Sequence, residues 1–470
     1  MIKLPEAVSN FINIFNKNNF QIFVVGGAVR DILIGKNPLE VGDNWDFATN
    51  ATPEKILKLF PNGFYDNKFG TVGIPFKKNG TTIVFEVTTF RKEGEYKDLR
   101  HPEKIEWAKT IEEDLARRDF TINAIAFRLT SFGHSAKLGR KPQGKPTYEL
   151  IDPYQGQKHL KQKLIVAVGD PDKRFSEDAL RLIRAIRFAS ELGFLIEDKT
   201  RQSIQKNAKL ITKISWERIR DELFKILASQ NPAEGILFLR NSGLLTFILP
   251  ELDICFLIPQ KSPKRHHIYD VGTHLVMSLK HCSSKDVITR LATLLHDVGK
   301  SKTFRRDDKT GLITFYNHEV VGTEIVKKIA DRLRLSSKQK EKFIRLVQFH
   351  QFTVTELQTD KAVRRFIRNV GKEYLDDIID LRYADRVGSG AKPTSWRFEL
   401  FKKRLIEVQK EPFSITDLKI DGNDVMKILN IRPGVKVGQI LKSIFNDVEQ
   451  GKVKNERDVL LKKIEDFNSP

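Results

Sequence analysis

The chain has 470 residues, of which 40% are hydrophobic and 30% charged, and its formal net charge is +21. This length exceeds what one hydrophobic core fills, so about three domains are expected. The excess of Lys and Arg indicates a polyanionic partner, most simply a nucleic acid. We expect neither a membrane span nor a secretory signal, and the two cysteines, Cys255 and Cys282, favour the cytoplasm and exclude a disulfide framework or a thiolate metal site.

The first part of the chain, residues 1–152, alternates short apolar runs with helical patterns and predicts an α/β domain. Strands are expected where β-branched and aromatic residues concentrate. Residues 131–147 are rich in Gly, Pro and basic residues and predict a basic loop inserted into a hairpin. The predicted strands are Ile22–Val25, Thr81–Thr89, Thr121–Arg128 and Tyr148–Ile151, and the predicted helix is Pro53–Phe60.

A candidate phosphate-binding turn lies at Gly26 and Gly27, between the predicted strand Ile22–Val25 and a helical pattern. Glycines let the backbone approach a phosphate closely, and a helix N-terminus offers free N–H groups. Asp46 follows near a second strand, where a carboxylate can hold Mg²⁺ against that phosphate.

The carboxylates near Asp46 only partly match the spacing that a metal site on a strand needs. Residues i and i+2 of a strand share a face, so two carboxylates at that spacing suit one or two Mg²⁺ ions. The i−2 partner of Asp46 is Asn44, a weaker ligand, and Asp43 can replace it only if the backbone bulges. Glu86, in the predicted strand Thr81–Thr89, is a further candidate, with an exposed strand acid as an equal alternative.

Two arginines and an amide, Arg117, Arg118 and Asn123, lie at the start of another predicted strand. Guanidinium groups match phosphate oxygens, and Asn123 can hold a ribose or a phosphate. For this segment alone, a salt-bridged surface loop is the alternative.

Residues 177–192 predict a helix on which Asp178 and Arg181 share one face. An ionised carboxylate only accepts hydrogen bonds, and a guanidinium only donates them. Cytosine and adenine present an amino donor beside a ring-nitrogen acceptor, whereas uracil and guanine present the reverse order. The pair can therefore select C and A without a nucleic-acid template, and an intrahelical salt bridge is the alternative.

Beyond Pro171 helical periodicity dominates, and seven of the ten histidines lie between residues 266 and 350. Adjacent His-Asp on a helix, with ligands from neighbouring helices, indicates a binuclear hydrolase centre. Imidazole and carboxylate together suit Mn²⁺, Ni²⁺, Fe or Zn²⁺ rather than Ca²⁺. The candidate ligands are His274, His296, Asp297, His318, His350 and Asp385. The further helices predicted in this part of the chain are 216–229, 232–242, 285–297, 318–334, 338–349, 361–370, 373–386 and 395–409.

Together these segments resemble the class II tRNA nucleotidyltransferases, the family of CCA-adding enzymes and bacterial poly(A) polymerases. The resemblance implies that the N-terminal segments bind the triphosphate and its metal, and that the helix after Pro171 reads the base. In this sequence the phosphate turn is Gly26–Asp31 with Arg30, and the metal motif is Asn44–Thr49 with its first Asp replaced. The implied sugar and triphosphate contacts are Arg91 and Arg117–Ala124 with Arg118, Asp119 and Asn123. The implied base-reading helix is Glu177–Phe188 with Asp178, Arg181 and Arg184.

A second resemblance covers the histidine-rich part. Leu294–Lys300 closely resembles the HD phosphohydrolase motif, with His274 as the first ligand and Asp385 as the last. The C-terminal segments Asp417–Met426 and Pro433–Leu441 resemble the family's helical tail, which we expect to bind tRNA, with helices that only pack against one another as the alternative. The implied organisation is an α/β nucleotidyltransferase head with a mixed sheet at 1–152, then all-α domains: a neck at 153–257, an HD domain at 258–392 and a tail at 393–470.

The function that the resemblance implies is the addition of C, C and A to tRNA 3′ ends from CTP and ATP, with Mg²⁺ in the head and a phosphohydrolase activity in the HD domain. Arg91–Pro102 resembles the flexible loop that family members need for adding the final A, which favours complete CCA addition. An A-adding enzyme and a poly(A) polymerase stay open. An HD phosphohydrolase whose head only binds RNA also stays open, because Asn44 weakens the metal motif. The histidine cluster argues against a third alternative, a protein that only binds RNA.

Overall fold

The computed structural model describes residues 4–36, 45–66, 70–78, 81–93, 105–131, 147–261, 269–352, 355, 357–410, 415–450 and 452–468. The chain forms two compact units, Met1–Asp253 and Ile254–Pro470. The first is a mixed sheet with helices followed by a helical part, and the second is mainly helical, which confirms the predicted fold class. Among the helices in the described ranges, none combines the length and the apolar character needed to cross a bilayer.

The head is built on one seven-stranded sheet. Its order is β3-β4-β5-β2-β1-β8-β9, in which β2 and β5 run parallel and the other neighbours run antiparallel. The elements are α1 (Glu6–Lys17), β1 (Ile22–Val25), α2 (Gly27–Leu33), β2 (Asp46–Thr49), α3 (Pro53–Leu59), β3 (Phe64–Asp66), β4 (Thr71–Lys78), β5 (Thr81–Thr89), β6 (Arg91–Glu93), β7 (Ile105–Trp107), α4 (Ile111–Ala116), β8 (Ala126–Ser131) and β9 (Thr147–Ile151).

Helix α1 covers one face of this sheet because its apolar residues recur at helical spacing. Val8, Phe11, Ile12 and Phe15 are all buried. The Phe11 ring lies 4.8 Å from the ring of Phe47 on β2, measured between centroids. Aromatic packing of this kind fixes α1 against the strand that carries Asp46 at its start.

Most of the predicted head elements are confirmed, and one is wrong in part. The strands predicted at Ile22–Val25 and Thr81–Thr89 have those bounds, and β8 and β9 pair as the predicted hairpin. Residues 132–146 of its loop lie outside the described residues. The predicted strand Thr121–Arg128 instead begins with a 3-10 turn at Thr121–Asn123. The Asp119 carboxylate accepts hydrogen bonds there from the Phe120 N–H group and from Asn123 Nδ2, and these compete with the strand ladder.

The next part of the chain, up to Cys255, is mainly helical. It comprises α5 (Gly156–Gln162), β10 (Leu164–Ile165), α6 (Pro171–Glu177), α7 (Leu180–Leu192), β11 (Leu195–Ile196), α8 (Asp198–Asn207), α9 (Trp216–Ala228), α10 (Pro232–Asn241), α11 (Leu245–Ile248) and α12 (Pro250–Cys255). The single helix predicted at 177–192 is wrong: Asp178 is extended and separates α6 from α7. Its carboxylate accepts the backbone N–H of Leu180 at 3.0 Å, so it satisfies the start of α7 rather than continuing a helix.

The second unit contains the histidine-bearing helices and the C-terminal helices. Its elements are α13 (Val271–Lys280), α14 (Val287–Leu295), α15 (Lys300–Thr303), β12 (Arg305–Arg306), β13 (Ile313–Thr314), α16 (His318–Arg332), α17 (Ser337–Gln348), α18 (Asp360–Val370), α19 (Leu375–Gly388), α20 (Trp396–Glu407), α21 (Gly422–Leu429), α22 (Val435–Glu449) and α23 (Arg457–Glu465). The last three bury a common apolar cluster that includes Val425, Ile444 and Leu460.

Candidate nucleotidyl-transfer site and metal centre

The glycine turn after β1 lies directly against the carboxylate predicted to bind metal. Gly26 has φ +72°, a conformation that favours glycine. A Cβ atom there would lie 3.1 Å from Asp46 Oδ2 and 3.3 Å from Arg118 Nη1. The backbone conformation therefore favours glycine, a side chain there would crowd Asp46 and Arg118, and the turn brings three of the predicted residues together.

Asp46 and Glu86 form a pair of carboxylates on neighbouring strands. They are register partners of the parallel strands β2 and β5, so their side chains share a face. Burial raises the pKa of Asp46 to about 6, with Arg118 lowering it and Glu86 raising it further. Two carboxylates in this position repel each other, and a divalent cation between them would remove the repulsion. Asn44 and Asp43 lie outside the described residues.

Donor groups converge beside this pair. Arg118 Nη1 lies 3.4 Å from the carbonyl oxygen of Asn123, and Arg30 Nη1 donates to Asn123 Oδ1 at 3.1 Å. Arg118 Nε is buried and has no hydrogen-bond partner within the described part of the chain. A buried N–H group without an acceptor suits an anionic ligand, since it would otherwise cost free energy.

Asp119 accepts hydrogen bonds from two other residues predicted to contact the nucleotide, Arg184 and Asn123. Its side chain is buried, and Oδ2 accepts from Arg184 Nε at 2.8 Å and from Arg184 Nη2 at 2.6 Å. Oδ1 accepts from Asn123 Nδ2 at 3.2 Å. Asp119, predicted to contact the nucleotide, is thus engaged with Arg184 and Asn123, so it links the head to α7.

The two predicted base-reading residues do not share one face of a helix, because Asp178 precedes α7 and Arg181 lies within it. Asp178 Oδ2 accepts from Arg218 Nη2 at 3.0 Å, and Arg218 belongs to α9. Arg181 Nη1 donates to Glu177 Oε2 at 2.7 Å. Glu177 was not predicted as a site residue, although it directly precedes Asp178, and its position four residues before Arg181 is the signal that could have identified it.

Arg91 and the loop after it are only partly described. Arg91 begins β6, which pairs antiparallel with β7, so the base of the predicted flexible loop is a two-stranded ladder. Residues 94–104, which make up most of that loop, lie outside the described residues.

In the second unit, all six predicted ligands come together. They form two triads, and within each the ligand atoms lie within 4.8 Å of one another: His274, His296 and Asp385 in one, and Asp297, His318 and His350 in the other. The Nε2 atoms of His274 and His296 are 3.3 Å apart, as are those of His318 and His350.

Asp297 connects the two triads through its two oxygens. Oδ2 lies 3.4 Å from Nε2 of both His274 and His296, whereas Oδ1 lies 3.1 Å from His318 Nε2 and 3.4 Å from His350 Nε2. One carboxylate therefore faces both groups of nitrogen donors, which is the donor set of a centre for two cations. The residue types and their convergence fit a pair of divalent metal ions.

The charges of this centre are strongly coupled. Burial opposes the charge on His296, but the Asp297 and Asp385 carboxylates raise its pKa to about 10. Burial likewise opposes the charge on Asp297, yet Lys300 and the histidines hold its pKa well below the usual range. The Lys300 ammonium lies 2.6 Å from Asp297 Oδ2 and is buried, a contact that sequence reasoning did not predict.

A cavity of about 550 Å³ opens beside the second triad. Besides the ligands it is lined by three basic residues, Lys300, Arg382 and Arg386, by one acid, Glu319, and by aromatic groups such as Tyr316. Its basic lining suits an anionic substrate held close to the ligands.

Comparisons with known proteins match both regions of the chain to family models. Residues 22–166 match the model of the Poly A polymerase head domain, residues 193–255 that of the probable RNA and SrmB-binding site of polymerase A, and residues 265–388 that of the HD domain. Nucleotidyltransferase heads and HD domains generally use divalent metal ions, in line with the acidic pair and the two triads.

Three relatives illustrate the similarity at the level of whole chains. The CCA-adding enzyme of Ligilactobacillus salivarius is 30% identical over 97% of this chain and 96% of its own, and the A-adding tRNA nucleotidyltransferase of Deinococcus radiodurans is 34% identical over 92% of each. The CCA-adding enzyme of Geobacillus kaustophilus is 40% identical, but the match spans 52% of this chain and only 54% of the relative. This chain thus spans about half the length of that relative.

The solved structures extend the match to the fold. The crystal structure of the Bacillus stearothermophilus CCA-adding enzyme in complex with CTP has a TM-score of 0.69 and 26% identity and covers 98% of this chain and 96% of its own. The Thermotoga maritima CCA-adding enzyme complexed with tRNA, at 21% identity and a TM-score of 0.58 over 100% of this chain and 97% of its own, shows the same fold. The chain is therefore a member of the class II tRNA nucleotidyltransferase family and carries an HD domain.

Proposed function

We propose that this enzyme adds C, C and A in turn to the 3′ ends of tRNA, using CTP and ATP without a nucleic-acid template. The observation that carries the proposal is the approach of Asp46 and Arg118 to the Gly26 turn, with Glu86 as the strand partner of Asp46. The full-length similarity to the Ligilactobacillus CCA-adding enzyme supports this choice of substrate.

In the head, Asp46 and Glu86 would hold Mg²⁺, together with Asn44 or Asp43. When bound, the ion lowers the barrier to attack by the tRNA 3′-hydroxyl on the α-phosphate of the nucleotide, with release of pyrophosphate. The pairing of the half-buried Asp46 carboxylate with that of its strand partner supports this assignment, since Mg²⁺ prefers oxygen ligands.

The chain's own residues bind and orient the nucleotide. Gly26 and Gly27 keep the phosphate turn free of bulky side chains, and Arg118 offers its unused Nε–H group. Arg30 and Asn123, which bond to each other, would hold the sugar or the phosphates, as would Arg91. Arg184 and Asp119 would act at the same nucleotide site, where their ion pair keeps Asn123 in place.

Asp178 and Arg181 would select the base. Arg181 presents donors and Asp178 acceptors, which matches the donor-acceptor order of cytosine and adenine and opposes that of uracil and guanine. The anchoring of Arg181 by Glu177 and of Asp178 by Arg218 supports this role, because a fixed edge discriminates better than a mobile one.

The net charge of +21 supports tRNA as the partner, with the basic neck and tail contacting its phosphates and its shape. We assign 1–152 to the head, 153–257 to the neck, 258–392 to the HD domain and 393–470 to the tail. A cytoplasmic location fits the two free, buried cysteines.

The experiment that tests the head activity uses tRNA transcripts that end before CCA, before CA and before A. Each is incubated with Mg²⁺ and single NTPs, then with CTP plus ATP. Completion of CCA on all three is the expected result. Addition of A alone would instead identify an A-adding enzyme, an alternative that the Deinococcus relative supports, and long A tracts would identify a poly(A) polymerase.

A second activity, metal-dependent phosphohydrolysis, is proposed for the HD centre. The sharing of Asp297 between two triads favours a binuclear site, which Mn²⁺, Ni²⁺, Fe or Zn²⁺ would occupy. Lys300 and Arg382 would bind the phosphoryl oxygens of a substrate in the adjoining cavity. Hydrolysis of bis(p-nitrophenyl) phosphate by the chelator-treated protein, measured after adding each metal, tests this activity. Hydrolysis without any nucleotide addition would favour the alternative in which the head only binds RNA.

A further inference from the structure

A carboxylate that belongs to neither metal centre lies fully buried in the head. Asp114, in helix α4, has a side chain that is 0% exposed. Its Oδ1 accepts from Arg117 Nε at 3.0 Å and from the backbone N–H of Arg91 at 3.4 Å, and its Oδ2 lies 3.5 Å from Arg118 Nη2. Carboxylates are rarely buried unless they are paired, so this one has a specific role in holding its neighbours.

Arg118 lies between two carboxylates of the head. One end of its guanidinium group, Nη2, faces Asp114, and the other end, Nη1, lies beside the Gly26 turn. Asp46 Oδ2 approaches the same turn, since a Cβ atom at Gly26 would lie 3.1 Å from it. Asp114 and Asp46 therefore attract the Arg118 guanidinium group from opposite ends. The Arg118 side chain is 17% exposed and has little room to turn to solvent.

The C-terminal end of α4 also holds the base-reading side of the site. The carbonyl oxygen of Ala116 accepts from Arg174 Nη2 at 2.9 Å, and that of Arg117 accepts from Arg181 Nη2 at 3.2 Å. Arg174 and Arg181 both donate to Glu177 Oε2, at 2.8 and 2.7 Å. One short helix thus contacts the phosphate side of the nucleotide site and its base side.

We propose that Asp114 is a positioning residue for nucleotide addition, which acts chiefly by holding Arg118 away from Asp46 so that the cation and the triphosphate can bind between them. The inference rests on the proposed function of the head. Without the Asp114 charge, Arg118 would move toward Asp46 and compete with Mg²⁺ for its carboxylate. The same loss would loosen the end of α4 to which Arg181 is bonded.

The test is Asp114→Asn in the full chain, with Glu112→Gln as the matched control, because Glu112 is an exposed acid on the same helix. Single C addition is measured below the melting temperature of both variants. For Asp114→Asn, kcat/KM for CTP is expected to fall by about 100-fold, the scale of a displacement of about 1 Å in a catalytic site. The Mg²⁺ concentration for half-maximal rate should rise and the KM for tRNA should stay constant. A merely structural residue would lower the melting temperature without changing the Mg²⁺ requirement.

A double-mutant cycle covers the case in which Asp114→Asn does not fold. Asp114→Asn combined with Arg118→Gln leaves fewer unpaired charges, and it should be no slower than Arg118→Gln alone if Asp114 acts through Arg118. A double variant that is folded but much slower than Arg118→Gln would overturn the proposal. So would an Asp114→Asn variant with the wild-type Mg²⁺ requirement. An inactive wild-type chain would refute the proposed head function and this role with it.

Discussion

The ion pair between Asp119 and Arg184 makes a stability prediction that can be worked from the structure. Asp119 is 9% exposed and accepts two hydrogen bonds from Arg184 on one oxygen. Burial opposes its charge, but the Arg184 guanidinium and the hydrogen bonds from Arg184 and Asn123 lower its pKa from 3.8 to about 2. A pKa lowered to this extent corresponds to about 2–3 kcal/mol of stabilisation of the charged form.

Asp119→Asn keeps the shape of the side chain and removes its charge. The variant should lose about 2–3 kcal/mol of unfolding free energy at pH 7, since breaking a buried pair costs about 3–5 kcal/mol and Arg184, which is 30% exposed, partly recovers its hydration. For a unit of this size, that is a fall of about 5–10 °C in melting temperature. Calorimetry of the full chain measures it, and the transition of the first unit is the one that CTP raises.

The pH dependence of this stabilisation follows from the lowered pKa of Asp119. Because the folded pKa of Asp119 lies below the unfolded one, its stabilisation is complete above an unfolded pKa of about 4 and is lost as the pH falls toward about 2. The difference between wild type and Asp119→Asn should therefore be constant near neutral pH and shrink below about pH 4.

The matched control is Asp198→Asn, which breaks an exposed pair with Arg201 in the same unit. Its effect should stay below about 1 kcal/mol, as is typical of surface pairs. If Asp119→Asn melts within a degree or two of this control, or if the gap does not change on acidification, the desolvation cost of the pair offsets its attraction and the reasoning is refuted.

Three further outcomes are expected. Gly26→Ala should reduce nucleotide addition by about 100-fold, because the new Cβ meets Asp46 and the backbone conformation is strained; near wild-type kcat in a single-addition assay would show that the turn is not at the site. Asp178→Ala with Arg181→Ala should allow UTP and GTP to be incorporated while tRNA binding in a filter assay stays near normal, and continued strict use of CTP and ATP would contradict the base-reading assignment. His296→Ala with Asp297→Ala should abolish metal-dependent hydrolysis and spare nucleotide addition, whereas loss of both activities would argue against two separate sites.

Local patterns were sufficient for many of the elements. β1 and β5 have the predicted bounds, since β-branched runs between turn residues specify strands within a few positions. The helix predicted at 177–192 was one exception, besides the start of the strand predicted at Thr121–Arg128. Its apolar periodicity continues through Asp178, and only the hydrogen bond of that carboxylate to the Leu180 N–H group reveals the break.

The residue types of the HD centre could also be predicted, because His and Asp are recognisable as ligands wherever they occur. All six predicted residues converge in the structure. That Asp297 turns one oxygen toward each triad could not be predicted, since it depends on how α13, α16, α17 and α19 pack around one side chain.

By itself the sequence determined the class of most elements and the candidate residues of both sites, because these depend on residue type and on spacing of a few positions. Only the tertiary structure decided which of those residues meet. Asp46 and Glu86 are 40 positions apart and become partners because β2 and β5 pair in parallel. Asp114 became visible only through its burial between Arg117, Arg118 and Arg91. Such contacts arise from long-range packing, which local periodicity does not encode.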